Sequence, residues 1–228
     1  MGVCAGLALV LLALLGKKLI HREPIAPEGW SLSFGIVGAV LAFLSGHMAV
    51  TWPLNVNPPV NILFAEPSLI FGVMLIAASI FLWRQKDTIN ALASTNKKTA
   101  DEAEIYLRRV LAPLSWVIFG VGLALAFGAL AIFRFTIIGS APAVEPISGL
   151  LHDFPLIENT FFGIIYGLPA IGALLTPFAV RQPRSQVTTI IGYSWISAGI
   201  IFLLFSALNF YTHSGMLINI LRGTNFTF

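Results

Sequence analysis

Charge is what this chain has least of. Only 10% of its 228 residues are charged, against about 25% in an ordinary soluble domain. A packed core of this size manages with so few charges only when lipid is the outer solvent. A soluble globular enzyme, a disordered tail and a nucleic-acid module are thereby excluded. Cysteine is nearly absent: Cys4 stands alone, so no intramolecular disulfide can form and the redox compartment is not readable. The chain has no HExxH, no CxxC, no P-loop and no nucleophile elbow. Its GxGxxG look-alikes fall inside apolar runs, where they mean close helix packing. What is abundant is apolar surface, 57% of residues, with a mean hydropathy of +0.88. These figures describe a polytopic membrane protein, all-α.

A membrane helix needs about 20 mostly apolar residues, and six runs qualify: 2–20, 30–52, 64–83, 110–133, 159–180 and 187–210. The first could pass for a signal peptide, but its charges, Lys17 and Lys18, follow the apolar run instead of preceding it. It reads as the first helix of a single transmembrane domain, 1–228, and Cys4 lies too near the start to be a lipidated cysteine. The third run opens at Glu66-Pro67, proline being favourable at a first helical position. Thr99 to Glu102 forms a capping-box pattern, which predicts a polar surface helix over 99–111 with Pro113 as a bend. The stretch 134–158 is the long loop.

Lysine and arginine alternate between loops. Eleven fall on one side and two, Arg134 and Arg222, on the other. The positive-inside rule then places both termini outside. The net charge of +3 is a topology signal on this reading, with no nucleic-acid partner implied. His47, His152, His213, Glu66, Glu145, Asp153 and Glu158 all fall on the outer side, and His21 on the inner. Phe34 to Phe43 resembles Phe119 to Phe127 with one deletion, and Trp195 to Gly199 faintly resembles Trp30 to Gly35. A parallel repeat of helical hairpins is one explanation; chance similarity between apolar helices is the other.

The most distinctive stretch is Gly46-His47-Met48-Ala-Val-Thr51-Trp52-Pro53-Leu54, followed by Phe64-Ala-Glu66-Pro67-Ser68. It resembles a family of small prokaryotic multi-spanning membrane proteins of unknown function, whose members carry a similar G-H-M-x-x-T-W-P-L run and an F-x-E-P-S start to the next helix. The resemblance covers residues 30–83 and extends elsewhere only as hydropathy. It implies a multi-pass protein of a prokaryotic plasma membrane and no particular activity.

His47 and Glu66 are the costly residues, because ionisable groups at membrane depth usually line a cavity or pair with one another. His47 lies about 8 Å below the outer end of its helix at 1.5 Å per residue. The plain reading makes Glu66 a helix cap, suited to the dipole, and His47 its hydrogen-bonded neighbour. The sharper readings are a haem with His47 and His213 as axial ligands, a zinc or copper site drawn from His47, Glu66, His152 and Glu158, or a quinone or proton-relay site. The plain reading of His152 and Glu158 is a solvated loop, and that of His213 an interfacial residue beside an aromatic belt.

Three functions follow as expectations. The first is a subunit of a larger, respiratory or other redox, membrane complex, helping to hold a haem, metal or quinone near the outer face and not catalytic on its own. The second is a stand-alone small-molecule or ion transporter, against which no helix carries a midplane charge. The third is an outer-leaflet lipid or quinone enzyme, for which His47 and Glu66 are the only acid/base pair.

Overall fold

The computed structural model describes residues 1–226. Seven α-helices and no strand occur among them: α1 (Gly2–Ile20), α2 (Pro27–Thr51), α3 (Pro58–Arg84), the short α4 (Lys86–Ala91), α5 (Lys97–Phe135), α6 (Pro155–Arg181) and α7 (Gln186–Arg222). All but α4 are long and apolar enough to span a bilayer. Helices are what such a composition must form, because lipid offers nothing to an unpaired backbone group.

The helices pair as hairpins. α2 lies along α3, α5 along α6, and the first helix, α1, along the last, α7. Contacts of α1 with α2, of α3 with α5 and of α6 with α7 close these pairs into a ring. Small residues let the backbones approach. A Cβ on Gly6 would stand 2.7 Å from the Gly199 carbonyl, and one on Gly38 would stand 2.9 Å from that of Gly72. Polar side chains add rivets. Ser31 donates to Ser79 O at 2.9 Å while Ser79 donates to Ser31 O at 2.7 Å.

Several boundaries differ from the expected ones, each for a local reason. α3 begins at Pro58, not at residue 64. Pro58 and Pro59 fit the first turn, where a missing N–H costs nothing. Asn61 then reaches back to accept from Leu54 N and donate to Leu54 O, both at 3.1 Å. Glu66 therefore lies more than two turns inside the helix and caps nothing. Pro67 is interior as well, and its absent N–H frees the carbonyl of Leu63, four residues earlier. The Tyr166 hydroxyl of α6 donates to that carbonyl at 2.8 Å.

The expected surface helix at 99–111 is instead the first part of α5, which runs unbroken for 39 residues, about 59 Å at 1.5 Å per residue. Its N-cap is Asn96, whose side chain accepts from Lys98 N and Thr99 N, so the capping box at Thr99 is not the start. Ala103 and Leu107 bury in one cluster with Ile89 of α4 and Leu92 just after it, which also includes Leu15 and Leu82. α7 continues past residue 210 to Arg222 and stops at Gly223, which adopts a left-handed conformation (φ 63°).

Candidate functional site

The ring lines a half-open cavity of about 1700 Å³, larger than the roughly 300–1,000 Å³ of most small-molecule sites. All six spanning helices line it. On α1 alone the lining runs from Gly2 to Ile20, about 27 Å at 1.5 Å per residue and close to the roughly 30 Å of a hydrocarbon core. The lining is mostly hydrocarbon: Leu9, Leu12, Phe71, Met74, Leu125, Phe162, Phe202 and Phe205 are among its members.

Polar groups gather at one end, where the segment between α5 and α6 folds over the mouth. Asn57 Nδ2 donates to Ile137 O at 2.6 Å. The buried Asn159 donates to Ile132 O at 2.7 Å and accepts from Ile138 N at 3.3 Å. Glu158, in the first turn of α6, accepts from Ala141 N at 2.6 Å. His152 Nδ1 lies 2.8 Å from Ala141 O. On the far side Asn219 of α7 donates to Val144 O at 2.8 Å. Ile147 takes a positive φ of 64°, and Ser148 N donates to Pro146 O at 2.7 Å across that tight turn. Positive φ in a β-branched residue is strained, and the surrounding bonds hold it. A single turn of 3-10 helix, Ser148–Leu151, follows.

This loop buries Glu145, whose side chain is 6% exposed, with its Oε1 3.6 Å from His213 Nε2. Glu145, Ser148, Glu158, Asn209, His213 and Ser214 line the cavity at this mouth, hereafter the loop end. The mouth can offer carboxylate acceptors, an imidazole and an amide to the head of a molecule whose body is apolar.

The opposite, basic end is closed by ion pairs. Arg22 Nη2 reaches Asp101 at 2.6 Å and Glu104 at 2.7 Å, and Arg184 Nη2 reaches Glu104 at 2.8 Å. Arg108 donates to the last carbonyls of α6, those of Val180, at 3.1 Å, and Arg181. Glu104 stands in the charged first part of α5, beyond the apolar span. Hydrogen bonds from Arg184 and Arg22 hold its carboxyl far below the usual carboxylate range, at about 2, against the opposing effect of burial.

The expected site residues part company here. Glu158 and His213 line the cavity mouth; His47, Glu66 and His152 do not. His47 and Glu66 are exposed on α2 and α3. Packing of Gly46 on Leu69 and of Gly72 on Ala42 puts them at similar depth. Neither makes a side-chain hydrogen bond or ion pair among the described residues. Of the haem pair, His213 lines the cavity and His47 does not, and α7 packs on α1 and α6. Among the described residues no three His, Cys, Asp or Glu side chains are grouped to hold a metal ion, so His47, Glu66, His152 and Glu158 form no set. Sequence reasoning missed the cavity, Asn159, Asn209 and Tyr166. A tyrosine and an asparagine inside an otherwise apolar helix were the available signal, since each needs a partner in lipid.

No curated protein and no solved structure matches the chain. A family model does, over residues 1–215, far beyond the 30–83 stretch that carried the resemblance. The chain belongs to the family described as Protein of unknown function (DUF981).

Proposed function

We propose that this protein binds a long-tailed amphiphile, a lipid or an isoprenoid quinone, inside its helix ring. One observation carries the reading: a mostly apolar cavity, lined by all six spanning helices, runs nearly the thickness of a hydrocarbon core and carries charged side chains only near its ends. Burying a tail there contributes about 0.8 kcal/mol per CH₂ relative to water. Against bilayer hydrocarbon the gain is far smaller, so the head at Glu145, Glu158, Asn209 and His213 sets selectivity. An ion path is a poor fit, because the lining between the ends is mostly hydrocarbon and carries no charged side chain. On the lysine and arginine alternation, both termini and the loop end face outward in a prokaryotic plasma membrane.

Membership of a respiratory or other redox complex, with a quinone as the amphiphile, is the narrower form of this reading. The test is to purify the protein from its native membrane in mild detergent and extract it with organic solvent. The reading expects one long-tailed species near stoichiometric amount by mass spectrometry. A bulk-lipid profile with no enrichment contradicts it. A reduced-minus-oxidised spectrum and the co-purifying bands of the same sample decide the narrower form.

A further inference from the structure

A ring inside a membrane needs an entrance, and one seam of this ring is slack. α3 and α5 run antiparallel and meet at two levels. Near the loop end Leu63 packs on Gly128, where an added Cβ would lie 3.2 Å from the leucine side chain. Near the basic end Leu82 and Leu107 share a cluster with Ile89. Between Leu107 and Leu125, about 27 Å along the helix, α5 contributes no side chain to either hydrophobic cluster of the described residues. The same stretch of α5 packs instead on α6, with Gly122 against Ala173 and Leu174. Met74 and Ala78 of α3 and Leu114 and Ile118 of α5 line the cavity along this stretch. The other seams are tied. Ser194 and Trp195 of α7 donate to Leu168 O and Pro169 O of α6, and α1 shares its buried cluster with α2 and α3.

We propose that the α3–α5 seam is a lateral portal through which an acyl or isoprenoid tail passes from the bilayer into the ring. The occupant follows from position: both helices span the membrane, so the medium outside the gap is hydrocarbon chains. The inference rests on the cavity-binding reading above and adds the route.

The test uses the full-length chain in phosphatidylcholine vesicles, with Cys4→Ser and the pair Met74→Cys and Leu114→Cys. A maleimide cross-linker with a cleavable disulfide spacer bridges the seam. A fatty acid with a diazirine in its tail is then added in one arm, and an isoprenoid quinone analogue so labelled in another. Photolabelling of the α7 peptide containing Phe202 and Phe205 is followed over time. The portal predicts labelling at least tenfold slower when bridged, restored when the spacer is cleaved, and at least threefold slower in Ala78→Trp without any cross-linker. The arm that labels identifies the tail. Interior labelling at an unchanged rate with the seam bridged overturns the portal and leaves cavity binding standing. No interior labelling by either probe in the unbridged protein overturns both.

Discussion

The two ends of this bundle solve opposite problems. At the basic end, charged groups from three separate segments are spent on one another. Arg22 before α2, Asp101 and Glu104 of α5 and Arg184 before α7 form one network, and Arg108 caps α6. At the loop end, buried asparagines hold the backbone, which leaves Glu145, Glu158 and His213 lining a cavity. Backbone there is fixed mostly by neutral amides, with Glu158 accepting from Ala141 N, and the Glu145–His213 pair, 3.6 Å apart, stays on the cavity lining. Fixing helices with ion pairs, as at the basic end, consumes the ionisable groups. The difference separates a clamp from a mouth on residue chemistry alone.

The comparison can be broken most severely in the middle, where both ends depend on the hairpins. Gly6→Leu drives a side chain against the Gly199 carbonyl, 2.7 Å from where its Cβ would sit. Overpacking of this kind costs about 1–3 kcal/mol and sometimes more, so loss of the folded monomer peak in size-exclusion chromatography is expected. Next, Asn159→Ala leaves the Ile132 carbonyl and the Ile138 N–H without their side-chain partner. Hydrogen-exchange mass spectrometry should show residues 136–154 losing protection, with about 1–3 kcal/mol of stability lost. The basic end should stay protected.

Glu104→Gln probes the clamp in return. It removes the charge shared by Arg22 and Arg184, and a drop of about 1–2 kcal/mol in thermal unfolding is expected for partly buried charge-assisted bonds. Acid should reproduce it. A carboxyl held below its unfolded value stabilises the fold above the unfolded pKa, and that contribution fades as pH falls through the folded one. The clamp is thus intact above pH 4.5 and released toward pH 2, a step that Glu104→Gln should lack. The smallest effect belongs to Tyr166→Phe, which frees the Leu63 carbonyl again. About 1 kcal/mol is expected, read as a small fall in melting temperature.

Much of the architecture was legible beforehand. Six spans and the alternation of basic loops follow from apolar runs about 20 residues long and from where Lys17, Arg84 and Arg181 stand, and the family resemblance from the motifs around His47 and Glu66. Helix ends were less legible, because hydropathy marks where lipid begins and not where the backbone stops coiling. Pro58 and Asn96 carried that information locally, while nothing in 97–109 showed that its helix runs on into the span, and 211–222 lay beyond a run already long enough to cross. The site was hardly legible. His47 and Glu66 stood out because they are ionisable in an apolar context, yet both point outward. Glu145 and His213 meet only through the fold, 68 residues apart in the chain. A cavity is made of leucines and phenylalanines that look no different from core, and only helix pairing places them around a void.

The most direct test of the central claim is native mass spectrometry of the detergent-purified protein beside a filled variant, Leu12→Trp with Leu125→Trp, whose enlarged side chains occupy the ring interior. The account predicts one long-tailed adduct on the wild-type chain that survives activation, and its loss from the variant while the melting temperature holds. An adduct of equal abundance on both proteins, or none on the wild type, would contradict it.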